Sequence, residues 1–192
     1  TNTGEKLEFQ TKADVESALT AIYELMKNRM EHWYLDLLLI GDSHSDNAYG
    51  GTTDSQAMPF ENNSIEGSSP ILERDWNRYL EDVAQANRII CNIDKVPDDT
   101  FTETQRKTIT AQAKIFRALI WFDMVRLWGN IPLITSIAPD ITAENIDDIY
   151  DQYFPAQADA ATVYKQIETD LIEALQYAPD NDPTDKTKFS KS

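Results

Sequence analysis

Residues 111–135 read AQAKIFRALIWFDMVRLWGNIPLIT, and their pattern decides the fold. Between positions 115 and 128, Ile115, Phe116, Leu119, Ile120, Trp121, Phe122, Met124, Val125, Leu127 and Trp128 point apolar groups to almost every side of a helix. A helix with no polar face is one that other helices surround. Upstream, Thr102 and Gln105 have the spacing of a capping box, in which each side chain accepts a hydrogen bond from the other's backbone N–H. The helix is therefore predicted over 103–128. Gly129 is placed to cap its C-terminus, and Pro132 blocks continuation. Residues 131–135 read as a short extended piece.

Three further helices follow from three- and four-residue apolar spacing. The first is predicted over 12–30, with Thr11 as N-cap, Asp14 in the first turn, and Val15, Leu19, Ile22, Tyr23, Met26 and Met30 on one stripe. The second, over 71–94, carries Trp76, Tyr79, Leu80, Val83, Asn87, Ile90 and Ile93, and Pro97-Asp98-Asp99 breaks it. The last, over 157–177, carries Ala160, Val163, Tyr164, Ile167, Leu171 and Leu175, with Pro179 beyond its end. Residues 32–40, HWYLDLLLI, read as a buried short helix or strand that Gly41 ends, and 147–153 as one or two helical turns. No sheet is convincing. The expected fold class is all-α: a helical tetratricopeptide-like bundle or solenoid with one long irregular loop, though no clean 34-residue self-match is present.

Composition narrows the function. Seventeen basic against 33 acidic residues give a formal charge of −16. Non-specific nucleic-acid binding needs a lysine- and arginine-rich surface and is excluded; anionic lipid attracts basic segments, so the charge also argues against docking on it. Glycine is 6 of 192 residues, about 3% against a usual ~7%, which favours helix over a turn-rich barrel. The lone cysteine, Cys91, reads as a small hydrophobe. The longest apolar runs, four or five residues, are far short of the ~20 that span a bilayer. The first six residues, TNTGEK, have no signal-peptide pattern.

The central stretch resembles the SusD/RagB family of outer-membrane nutrient-uptake lipoproteins. Arg117, Ala118, Trp121, Phe122, Asp123, Val125, Arg126, Leu127, Trp128, Gly129, Pro132 and Leu133 match the family pattern. Trp76-x-x-Tyr79 with Ala86-Asn87 and Asn92-Ile93 looks like the family's preceding helix, and Tyr164-x-x-Ile167-x-x-Asp170-Leu171-x-x-Ala174 like the following one. The resemblance implies a cell-surface protein, not an enzyme. Such a protein captures oligosaccharides and delivers them to a SusC-like TonB-dependent outer-membrane transporter. Its alternative is a helical scaffold that docks on the transporter barrel, with ligand binding carried elsewhere in the protein. The resemblance also implies that residues 1–192 are an N-terminal helical domain of a longer chain. That chain would be held at the outer membrane through a lipidated N-terminal cysteine that these residues lack.

One segment lacks periodicity, 42–70, rich in Ser, Asn, Asp, Gly and Thr. Loops of this length in compact domains are functional or disordered. Sugar recognition needs planar polar groups for paired hydroxyls and an aromatic face for stacking. Asp42, Asp46, Asn47, Asp54 and Gln56 supply the first, and Tyr49 and Phe60 the second, with Trp76 at the border. The ligand-binding candidates are thus Asp42, Asp46, Asn47, Tyr49, Asp54, Phe60 and Trp76. The same stretch also reads as a solvated loop held by Asx turns. Asp42-x-His44-x-Asp46 lacks the Gly and Glu of an EF-hand at its sixth and twelfth places, so His44 reads as an ordinary exposed side chain and no metal or cofactor is expected. Asp123 and Arg126 read as a structural ion pair, and Trp121, Phe122 and Trp128 as core. No nucleophile elbow, P-loop or zinc-binding helix occurs.

Overall fold

A computed structural model describes residues 7–29, 31–51, 53–142, 144–145 and 149–191. Among these the chain forms helices α1 (Lys12–Asn28), α2 (Met58–Glu61), α3 (Pro70–Asn92), α4 (Glu103–Trp128), α5 (Tyr150–Tyr153) and α6 (Ala160–Tyr177). Two strands of two residues each, β1 (Ile131–Pro132) and β2 (Gln157–Ala158), pair antiparallel, with Ile131 opposite Ala158. The fold is all-α, 60% helical. The four long helices lie where the periodicity puts them, except that the last begins at Ala160 and not at 157, because Gln157–Ala158 pair as β2 and the Asp159 carboxylate caps the helix by accepting the Thr162 N–H. Met30 and Asp147, at the ends of two predicted segments, and the residues 1–6 lie outside the described residues.

The chain divides into two compact units, one of Thr1–Tyr23 with Glu81–Ser192, the other of Glu24–Leu80. In the first, α4 is the axis. The Thr102 hydroxyl accepts from the Gln105 N–H and the Gln105 side chain accepts from the Thr102 N–H, so two of the orphan donors at the helix start are satisfied. Gly129 ends α4 at φ 74°, a left-handed backbone where a side chain is strained. Arg106 organises the preceding connection. Its guanidinium donates to the carbonyls of Ile93, Phe101 (3.0 Å), Val96 (2.9 Å) and Asp98 (3.2 Å) and stacks over the Phe101 ring at 4.4 Å. Asp98 in turn accepts the Lys12 N–H that opens α1 (3.0 Å), and this contact holds its carboxyl below the usual range.

Helix α6 packs along α4. Ala111, Ala174 and Ala178 are buried together with Ile115 packed on them; their small side chains let the two backbones approach. A buried ion pair fixes the register. Arg117 donates from Nε and Nη2 to the two carboxylate oxygens of Asp170, both at 2.8 Å, and from Nη1 to the Asn87 side-chain oxygen at 2.6 Å. Its guanidinium also lies over the Trp121 ring at 4.8 Å. Asn87 passes the link on, donating to the Ile134 carbonyl at 2.7 Å.

Three further expectations are corrected. Gly41 does not end the 32–40 segment: wide π-helical turns run over Glu31–Asp36 and Leu39–Ser43, because the His44 N–H reaches back five residues to the Leu39 carbonyl. Within the 42–70 stretch, a short helix forms at α2. Phe122 is not core. It is 40% exposed on the outer side of α4, where Tyr164 and the Arg126 guanidinium cover part of its ring. Trp121, one position earlier, is buried as expected, and Asp123 pairs with Arg126.

Breaking a buried pair leaves an uncompensated charge in the interior and costs about 3–5 kcal/mol. Asp170→Ala is therefore expected to destabilise the chain by that amount in urea unfolding followed by circular dichroism. A loss under about 1 kcal/mol, the range of exposed ion pairs, counts against the role given to this contact.

Candidate functional site

Both candidate polar sites lie in the unit of residues 24–80. The first is the predicted loop. Two backbone devices shape it. The Asp42 carbonyl accepts from the Asn47 and Ala48 N–H groups (3.1 and 3.2 Å), and Asp46 turns the chain at φ 60°, a left-handed conformation that Asp tolerates better than most residues. A second turn follows at Gly51, φ 61°. The Glu61 carboxylate accepts the Gly50 N–H at 3.0 Å, and His44 Nδ1 meets the Phe60 carbonyl at 3.2 Å, so the loop is laced to α2 from both sides.

The candidate residues separate by role. Asp42, Asp46 and Asn47 are exposed, and Tyr49 is 82% exposed. The side-chain amide of Asn47 donates to Ser45 Oγ at 2.9 Å. Asp54 is exposed but its Oδ1 accepts the Gln56 and Ala57 N–H groups (2.7 and 3.1 Å), so that oxygen is spent on the turn into α2. Trp76 is half-buried on α3. Phe60 is a correction: at 0% exposure its ring is the core of the loop's base and offers no face to a ligand. Its place on the buried side of a four-residue helix had no periodic signal in the sequence.

The second site is a buried polar cluster that sequence reasoning passed over. His32, Asp36 and Asp75 are 3%, 1% and 0% exposed. His32 Nδ1 faces Asp75 Oδ2 at 2.9 Å, while its Nε2 meets the Tyr79 hydroxyl and its ring stands edge-on to the Tyr79 ring at 4.3 Å. Arg74 bridges the carboxylates: its guanidinium pairs with Asp36, with Asp75 Oδ1 at 3.4 Å, and with Glu31 at 3.1 Å. Arg78 reaches the other Glu31 oxygen at 3.5 Å. Burial, then the neighbouring Asp75 charge, push the Asp36 carboxyl up to about 6, against the opposing pull of Arg74. The available signal was the four-residue spacing of His32 and Asp36, which a helical turn brings together.

A carboxyl raised above its unfolded value of about 3.9 binds its proton more tightly in the folded state. Its contribution to stability is full below about pH 4 and is lost as pH rises through about 6. Asp36→Asn keeps the neutral form at every pH. The melting temperature of Asp36→Asn relative to wild type is thus expected to rise steadily between pH 4 and pH 7; a flat difference over that interval would show that Asp36 does not titrate there.

A family model, SusD-like, described as "Starch-binding associating with outer membrane", matches residues 2–192. SusD-like protein P2 of Formosa agariphila is 28% identical over 188 residues, 96% of this chain and 33% of the relative. SusD-like protein P25 of the same organism is 27% identical over 134 residues, 66% of this chain and 25% of the relative. Among solved structures, a laminarin binding SusD-like protein superposes with a TM-score of 0.72 at 28% identity, covering 95% of this chain and 38% of that one. Surface glycan-binding protein A from Bacteroides fluxus shares the fold, with a TM-score of 0.72 at 21% identity over 93% of this chain and 36% of that one. The chain spans about a third of the length of these relatives. It belongs to the SusD-like family.

Proposed function

We propose that this SusD-like chain is part of a cell-surface glycan-capture protein, and that the loop of residues 42–54 supplies contacts to the sugar. The observation that carries this reading is the make-up of the exposed loop. Tyr49 is 82% exposed and stands among the exposed side chains of Asp42, Asp46 and Asn47. A flat aromatic face suits the apolar face of a pyranose, and short carboxylates and amides accept and donate to paired hydroxyls. The tie between Glu61 and Gly50 holds the aromatic and polar groups on one frame, which lowers the ordering cost of binding. Trp76 is a border contact in this reading, and Asp54 serves chiefly to shape the turn. The kinship with a laminarin binding protein and with a family described as starch-binding supports a β- or α-glucan as first ligand to try.

The reading is of binding, with no catalytic step. Contacts of this kind are weak singly and gain from capture beside a second site, which fits delivery to a SusC-like TonB-dependent transporter from a lipid-anchored position at the outer membrane. A second reading, docking on the transporter barrel, is favoured by a different observation. A groove between α4 and α6 leaves Phe122, Tyr164, Leu171 and Leu175 exposed to solvent, and contiguous exposed apolar surface marks an interaction face.

Affinity gel electrophoresis in laminarin and in starch tests the first reading. The wild-type chain is expected to be retarded in one of the two. Tyr49→Ala and Asp46→Ala are expected to reduce that retardation, while each changes stability by no more than ~0.5 kcal/mol, as exposed substitutions do. Retardation that survives both substitutions removes the loop from the site.

A further inference from the structure

We propose that a pocket between the first half of α4 and the last turns of α6 is a second saccharide site, shaped for a neutral sugar through pairs of adjacent hydroxyls. This site rests on the glycan-binding reading and lies in the compact unit that holds α4 and α6. The pocket has a volume of about 520 Å³, within the range of small-molecule sites. Its origin is local. Lys107, Thr110 and Lys114 recur at three- and four-residue steps on one face of α4, and Glu173, Gln176 and Tyr177 do the same on α6. Between them the seam carries Ala111 and Ala174, both buried, and side chains this short leave a hollow that larger ones would fill. None of these polar residues lines the apolar groove that holds Phe122 and Leu171.

Two ion pairs face the hollow. Lys107 meets Glu103 one turn back on α4 at 2.5 Å, and Lys114 reaches across to Glu173 of α6. An ammonium donates and a carboxylate accepts, and each sugar hydroxyl does both. The oxygens of two adjacent hydroxyls on a pyranose lie about one hydrogen-bond length apart, as do the nitrogen and oxygen of these pairs. A diol therefore matches each pair in spacing and in polarity, accepting from the lysine with one oxygen and donating to the carboxylate with the other. The exchange costs little, because the Glu103 and Glu173 side chains are 79% and 51% exposed and ion pairs open to water hold little free energy. Charge selects the ligand further. Three acidic residues, Asp94, Glu103 and Glu173, balance three basic ones, Arg106, Lys107 and Lys114, in a chain whose formal charge is −16. A wall so balanced exerts no net pull on a phosphate or on a cationic peptide, and Arg106 already spends its guanidinium on backbone carbonyls. The Tyr177 ring, 40% exposed, stands beside the pairs with the Lys107 ammonium 4.9 Å from its centroid, and gives the C–H face of a pyranose an apolar surface to pack on.

The test is a ¹H–¹⁵N NMR titration of the full 192-residue chain with maltohexaose and, separately, laminarihexaose. One of the two is expected to shift the amides of Lys107, Thr110, Glu173 and Tyr177 as well as those of the 42–54 loop. In Tyr49→Ala, which takes the aromatic from the loop, the pocket shifts are expected to persist with the same midpoint. Glu173→Gln, which keeps the shape and removes the charge, and Tyr177→Leu are each expected to raise the dissociation constant read at the pocket at least about fivefold. The midpoint read at the loop stays where it is in both, and the spread of the amide signals reports in the same spectra that each variant is folded. Pocket amides that stay fixed at millimolar oligosaccharide overturn the site: with loop shifts present the glycan-binding reading stands without it, and with neither present both fall. Pocket shifts whose midpoint neither Glu173→Gln nor Tyr177→Leu moves overturn it as well.

Discussion

The guanidinium of Arg117 is the constraint on which the larger unit depends. Placing a charge inside a protein costs several kcal/mol unless every donor finds a partner. Arg117 spends its donors on Asp170 from α6 and Asn87 from α3 and lays its flat face on Trp121. The bidentate fork admits one geometry, so it selects one register of α6 along α4 among those that apolar packing alone would tolerate. The alanines at 111, 174 and 178 make that register reachable, because larger side chains there would hold the two backbones too far apart. The carbonyl of Ile134, just beyond β1, is held by the same set of contacts through Asn87.

Much of this was legible in the chain, and the reasons differ by element. Helix α4 announces itself because its start, its interior and its end each carry an independent signal: Thr102 with Gln105, a long apolar run, and Gly129. Asn87, Arg117 and Asp170 were all visible as family-pattern residues, but their meeting was not, since they lie 30 and 53 positions apart and no local spacing encodes the contact. Phe122 was misjudged for a physical reason. A helix apolar on all sides is expected to be enclosed, and among the described residues that side of α4 is only partly covered. Phe60 was misjudged in the opposite direction, since a lone aromatic in a polar stretch carries no period to say which way it faces. The His32 cluster escaped because its apolar neighbours made residues 32–40 read as plain core.

The two buried polar groups illustrate different uses of the same expense. Around Arg117 each described donor is matched to an acceptor, and the result is a fixed joint. Around His32 the polar atoms are as deeply buried, and there two carboxylates share the Arg74 guanidinium while Asp75 also meets the His32 imidazole at 2.9 Å. The His32 cluster and the loop of residues 42–54 belong to one compact unit and Arg117 to the other.

The open apolar groove between α4 and α6 has a consequence for the behaviour of the chain in solution. Two copies meeting groove to groove would bury Phe122, Tyr164, Leu171 and Leu175, a gain that grows with the area removed from water. Opposing this, each copy carries a formal charge of −16, and like charges repel over a distance set by the surrounding ions. That distance is about 8 Å at physiological ionic strength and about 3 Å in 1 M salt. The acidity of this sequence would oppose such a meeting of apolar faces in dilute buffer, and concentrated salt would weaken that opposition.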